Sequence, residues 1–274
     1  MTREANGGPR EVAVLGCGAF VPGFEGLAGW ARGEPSPDHD APRAELVPLR
    51  QRRRASVLSK AFADAYADAL EPTGLDASIV ASVFGSAIGE AATMVGLLDQ
   101  MWGDAAMLSP MKFATSVHNA ASGMVSIATE NRGITTAIGA DYDTPAMALL
   151  EGIGLVLARG ESVVVCCGDE APPEDLVPEG AGWGLMSAAI VLGPAADAPA
   201  ERPRLSGLSD AAADPIETDA AGGDAAREAV WRNPNIGLLD LAVVVSRGES
   251  RRLRLDRGAG RGFGVRVEAG GGGA

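Results

Sequence analysis

Several groups of residues in this 274-residue chain are of types and spacings that could do chemistry. Gly16-Cys17-Gly18 closes an apolar run, as the glycines of a dinucleotide-binding turn do. Val21 stands where the third glycine would be needed, and the Pro-rich stretch that follows offers no helix N-terminus for a pyrophosphate. These glycines read as structural. Ser109-Pro-Met-Lys112 matches the S-x-x-K of penicillin-recognising acylases, where the lysine helps to activate the serine, but the companion S-D-N and K-T-G motifs are missing. Cys166 and Cys167 end another apolar run and are followed by Asp169 and Glu170. A reactive thiol needs an electropositive, partly exposed setting, and carboxylates raise its pKa instead. Both read as buried structural cysteines, as does Cys17.

The two histidines, His39 and His118, are too far apart in sequence to form a metal site and have no spaced partners. His39 falls in a loop. His118 precedes Asn119, which is able to cap the helix that follows. Arg50, Arg52, Arg53 and Arg54 stand where a helix is expected to open, a place where cations oppose the helix dipole unless local acids or an acidic partner compensate.

These residues need a scaffold, and the composition supplies one. With 46% hydrophobic, 22% charged and 4% aromatic residues the chain is globular, neither disordered nor fibrous. A net charge of -13 argues against a nucleic-acid partner, since neutralising phosphates takes a surplus of Lys and Arg. No apolar run reaches the ~20 residues of a membrane span. The opening MTREANGGPR is not a charged-then-apolar leader, and the three cysteines show no disulfide spacing. A cytoplasmic, reduced protein without metal or cofactor is expected.

Period and punctuation predict the elements. Strands are expected at Glu11–Phe20, Ser78–Ala87, Thr135–Ala140, Ser162–Gly168, Met186–Pro194, Arg251–Asp256 and Phe263–Ala269. Helices are expected over Arg52–Glu71, from about Glu90 to Trp102, after Asn119 to the stop at Asn131-Arg132-Gly133, from Thr144 to near Gly160, and near Ile236–Arg247. Val21–Leu49 reads as irregular, 195–233 as loose, and 1–10 and 270–274 as disordered tails around a single domain, 11–269. Strands alternating with helices predict an α/β fold with a mostly parallel mixed sheet covered by helices.

The ordered succession of RRRASVLSKAFADAYADAL, SIVASVFGSAIGE, SPMKFATSVHNAASGMVSI, ENRG, ESVVVCCGDE and GAGWGLMSAAIVL resembles the N-terminal half of thiolase-fold condensing enzymes. The resemblance covers roughly Glu11–Pro194. It is closest to the small β-ketoacyl synthase-like, chain-length-factor group found beside aryl polyene and related polyketide synthases. SVHNAASGMVSI is similar to that group's signature, which in full ketosynthases is a small-residue helix at the dimer interface.

The resemblance implies a thiolase-like fold with its second half truncated. It also implies that a nucleophilic cysteine would follow the strand after Arg132-Gly133, at a helix N-terminus. Tyr142 or its neighbours Asp141 and Asp143 fall there instead, and the roughly 80 residues after Pro194 contain no histidine to assist decarboxylation. The expected role is a non-catalytic subunit that pairs with an active β-ketoacyl synthase and shapes its acyl tunnel. Met111, Phe113 and Met124 are the expected interface and tunnel wall, with His118 and Asn119 fixing the local geometry. Arg50, Arg52, Arg53 and Arg54 are the expected docking point for an acyl carrier protein. Two alternatives remain open: a homodimeric acyl-binding or scaffold protein, and an acyltransferase or hydrolase using Cys166 or Asp141.

Overall fold

A computed structural model describes residues 10–103, 108–174, 176, 182–210, 225–257 and 259–271. The apolar runs supply the centre of an eight-stranded sheet. Its strands are β1 (Val12–Phe20), β2 (Ala81–Gly85), β3 (Thr135–Ile138), β4 (Val163–Asp169), β5 (Met186–Pro194), β6 (Arg204–Ser209), β7 (Arg251–Arg254) and β8 (Gly264–Glu268). Their spatial order is β3-β2-β4-β5-β1-β6-β8-β7. β4 is buried along its whole length and β5 up to Pro194, which is why both read as unbroken apolar runs.

The sheet is mixed, parallel where β2 meets β3 and β4 and antiparallel at its other five junctions. The parallel share is smaller than strand–helix alternation suggests, because the helical connections β1 to β2 and β6 to β7 join strands that are not sheet neighbours, and only those among β2, β3 and β4 give parallel pairs. β7 follows into β8 without a helix among the described residues.

Nine helices are described: α1 (Gly26–Arg32), α2 (Leu49–Arg52), α3 (Val57–Leu70), α4 (Ala91–Trp102), α5 (Pro110–Ala114), α6 (Ala120–Ala128), α7 (Thr144–Arg159), α8 (Ala225–Trp231) and α9 (Ile236–Ser246). The period-two alternation of the strands sorts side chains between two cores. Val163, Val165 and Cys167 share one with Leu149 of α7 and Leu238 of α9. Val164 and Cys166 share the other with Phe62 and Tyr66 of α3 and Val125 of α6.

Three expectations need correction. The helix expected from Arg52 is two helices, since Ser56 Oγ accepts from the Ser59 N–H at 2.9 Å and so caps a new start at Val57. Arg50 and Arg52 therefore lie in the last turn of α2, where cations favour the dipole, and not in the first turn of a long helix. Val21–Leu49 contains α1, and 195–233 contains β6 and α8, with 211–224 outside the described residues. β6 escaped notice because its pairing with β8 shifts register between Ser206 and Ser209, around Gly207 at φ +63°. Of the expected tails, 1–9 and 272–274 lie outside the described residues. The Gly271 N–H donates to the Ala200 carbonyl at 3.2 Å.

Candidate functional site

β3 ends at Ile138, and Gly139-Ala140 lead into a 3-10 turn, Asp141–Asp143, from which α7 departs. Asp141 sits at φ +51°. Left-handed backbone costs a non-glycine residue about 1–3 kcal/mol and persists only where its surroundings over-determine it. Thr144 Oγ accepts from the Ala140 N–H at 3.0 Å and donates to the Asp141 carbonyl at 2.7 Å. The Asp143 N–H donates to the Ala140 carbonyl, and Asp143 Oδ1 accepts from the Arg261 N–H at 2.9 Å, on the β7–β8 connection. A strand, a strained residue and a helix start form the elbow geometry that presents a nucleophile. Here the strained residue is Asp141, one before Tyr142, and it presents an exposed carboxylate. No residue type in the sequence declares this positive φ.

His118 faces the elbow from the start of α6. Its ring is seated between two glycines: a Cβ on Gly89 would come within 3.0 Å of Cδ2, and one on Gly139 within 2.9 Å of Nε2. Nε2 lies 2.9 Å from the Ser86 carbonyl, an acceptor only, so Nε2 carries the proton. Asn119 occupies the N-cap position of α6 but makes no side-chain capping bond, contrary to expectation, and is exposed. Asp141, His118 and Asn119 line one open cavity of about 560 Å³. Past Asn119 and Ala137 it meets a trough of about 420 Å³ between α6 and β3, walled by Ser122, Ser126, Ile127 and Thr135.

Behind the cavity lies a buried polar hub that sequence reading missed. Asp169, at the end of β4, is fully buried. Its carboxylate accepts from Ser86 Oγ at 2.5 Å, the Ala87 N–H at 2.8 Å, the Ile88 N–H at 3.2 Å and Asn235 Nδ2 at 2.5 Å. Asn233 Nδ2 donates to the Asp169 carbonyl at 3.1 Å. The only signal available was the polar pair Asp169-Glu170 closing an apolar strand.

Burial, with Glu90 nearby, pushes the Glu170 carboxyl up to about 7. Its folded value thus exceeds the 4.5 of an unperturbed Glu, and the folded state binds the proton more tightly. The resulting stability is complete below about pH 4.5 and is lost as pH rises through 7. Glu170→Gln should therefore stabilise the fold by about 1–3 kcal/mol at pH 8 and by almost nothing at pH 5. Urea midpoints at the two pH values check this; an equal effect at both would refute the assignment.

The other expected residues are dispersed. Met111 and Phe113 project from α5 at 49% and 62% exposure, near Trp102 at 79%. Met124 instead turns inward against the α3 core. Ser109 Oγ accepts from the Lys112 N–H at 3.3 Å, which makes the S-x-x-K match an N-cap. Cys166 is buried beneath α3, and burial pushes its thiol up to about 12. Arg53 and Arg54 are exposed on the turn after α2. No helix among the described residues is long and apolar enough to cross a membrane.

The β-ketoacyl synthase N-terminal domain family model matches residues 28–203. Among curated proteins nothing matches. A solved ketosynthase (ApeO) in complex with its chain length factor (ApeC) from Xenorhabdus doucetiae aligns at TM-score 0.65 and 18% identity, over 94% of this chain and 98% of that one. The ishigamide ketosynthase/chain length factor aligns at 0.65 and 17%, over 95% and 98%. AntDE:AntF, a type II polyketide synthase acyl-carrier protein in complex with its ketosynthase, aligns at 0.69 and 13%, over 96% and 100%. The sheet and its helical cover are thus those of a thiolase-like fold, and the chain belongs to the β-ketoacyl synthase N-terminal domain family.

Proposed function

We propose that this chain is a non-catalytic subunit of chain-length-factor type, paired with an active β-ketoacyl synthase in aryl polyene or related polyketide or fatty-acid-type biosynthesis. The observation that carries this reading is the elbow. It keeps the strain and the helix start, yet it presents Asp141, which cannot form the thioester that condensation needs. Cys166, the other candidate nucleophile, is closed off in the core.

The two ends of the sheet support a partner. β7 carries Arg251, Arg252 and Arg254, charges that discourage strand addition. β3, at the other end, is Thr-Thr-Ala-Ile, uncharged and bordered by exposed Ile127 and Ile134. Trp102, Met111 and Phe113 add exposed apolar surface on α4 and α5, and such clusters mark interaction surfaces. A ketosynthase seated on β3 and α6 would have Met111 and Phe113 at its flank. Their volume would then limit the acyl chain, because packed interiors tolerate little excess. Arg50, Arg52, Arg53 and Arg54 form a basic corner on an acidic protein, suited to an acidic carrier protein.

Co-expression with the ketosynthase encoded nearest to it, followed by light scattering, tests the pairing. A one-to-one heterodimer is expected, and in its presence Phe113→Ala should lengthen the product by at least one extension unit. A homodimer that ignores the ketosynthase would favour the acyl-binding or scaffold alternative.

A further inference from the structure

The cavity at the elbow and the trough along α6 form one groove, since Asn119 and Ala137 line both. It runs beside β3, the uncharged end of the sheet. Among its walls the one acidic side chain is Asp141; the rest are alanine, glycine, hydroxyl and amide groups, with His118 and Ile127.

Nothing in the described chain answers that carboxylate. His118 directs its Nε2 proton to Ser86. The arginines that act on the neighbouring Asp143, through Coulomb interaction or a backbone N–H, have side chains engaged elsewhere, Arg254 with Asp256 at 2.5 Å and Arg261 over the Phe263 ring at 5.9 Å. The backbone does not account for the charge either, because left-handed conformation is met as readily by asparagine or glycine. In water an unpaired carboxylate here costs nothing. Once a partner covers the groove, the same carboxylate is stripped of solvent and becomes a penalty unless a donor meets it.

We infer that the partner subunit places a cationic side chain, an arginine or lysine, in the elbow cavity against Asp141, flanked by His118 and Asn119. The vacated nucleophile position thus becomes a specificity determinant for partner choice. It admits subunits that bring a cation and rejects those that would bury Asp141 unanswered. This deepens the pairing proposed above and rests on it.

The test measures heterodimer dissociation constants with the nearest-encoded ketosynthase at low and high salt. Asp141→Asn and Asp141→Gly both suit the positive φ and keep the fold. Each should weaken assembly about tenfold or more, with a shallower salt dependence, and Asp141→Arg should abolish it. Unchanged affinity and salt dependence in Asp141→Asn, in a pair that the unaltered chain does form, would overturn this inference alone. Failure of the unaltered chain to pair would overturn the heterodimer reading with it.

Discussion

Asp169→Asn should destabilise the fold by about 3–5 kcal/mol, a scale set by breaking a buried charged network. The loss comes from geometry. Four donors converge on one carboxylate, two of them backbone N–H groups of the loop between β2 and α4 and one the side chain of Asn235, just before α9. An asparagine keeps one acceptor oxygen and turns its NH2 toward the remaining donors, so buried N–H groups are left without partners. Burial also pushes the Asp169 carboxyl up to about 6 from 3.8. The native state therefore holds its proton more tightly, and the stability this gives is full below about pH 4 and gone above about pH 6. The variant should be weaker at every pH but flatter across that window. Because the Ser86 carbonyl anchors His118, the His118 ring resonances should also shift. A variant within about 0.5 kcal/mol of the parent would mean that the hub does not tie these layers together.

The elements that bury continuous apolar surface were legible in the sequence. β4, β5 and α9 lie within a residue or two of their expected bounds because burial on both faces leaves an unbroken hydrophobic run, as do β1, and α7 by its one buried face and its stop at Gly160. β6 and α1 were not legible. One is a short strand broken by a bulge and the other a single seven-residue helix in a Pro- and Gly-rich stretch, and neither carries enough period to stand out. At the site, the segment Asp141–Asp143 that the sequence singled out is a 3-10 turn with a positive φ at Asp141. Its strained member could not be named, since the turn is held by side-chain bonds, one of them tertiary: Thr144 Oγ to the Asp141 carbonyl, and the Arg261 N–H to Asp143 Oδ1. The Asp169 hub was out of reach for a related reason: its donors lie more than sixty positions away in sequence. The turn at Asp141 is thus held by side-chain bonds and presents an exposed carboxylate.

Gly18→Ala should cost about 3 kcal/mol or more, at or above the upper end of ordinary overpacking. Gly16 and Gly18 suggested a nucleotide turn, and their actual task is to let α3 lie directly on the central strand β1. A Cβ on Gly18 would overlap the Ala69 nitrogen and stand 2.7 Å from the Ala65 carbonyl oxygen; one on Gly16 would overlap the Ala69 carbonyl. Every close atom at Gly18 is backbone, so no rotamer change relieves the clash and the helix itself must move. That movement is resisted from both sides. Phe62, Tyr66 and Leu58 of α3 are fully or almost fully buried against the sheet, and β1 is held between β5 and β6. Neither glycine has a positive φ, so the effect is steric and not conformational. Gly96→Ala gives the contrast: a Cβ there meets nothing within 4 Å, and an alanine inside α4 should add about 0.5–1 kcal/mol. Thermal melts of the two variants beside the parent decide the matter. If Gly18→Ala melted like the parent, the close approach of α3 to β1 would be wrong. The glycine pair would then have to be explained again as a ligand-binding turn.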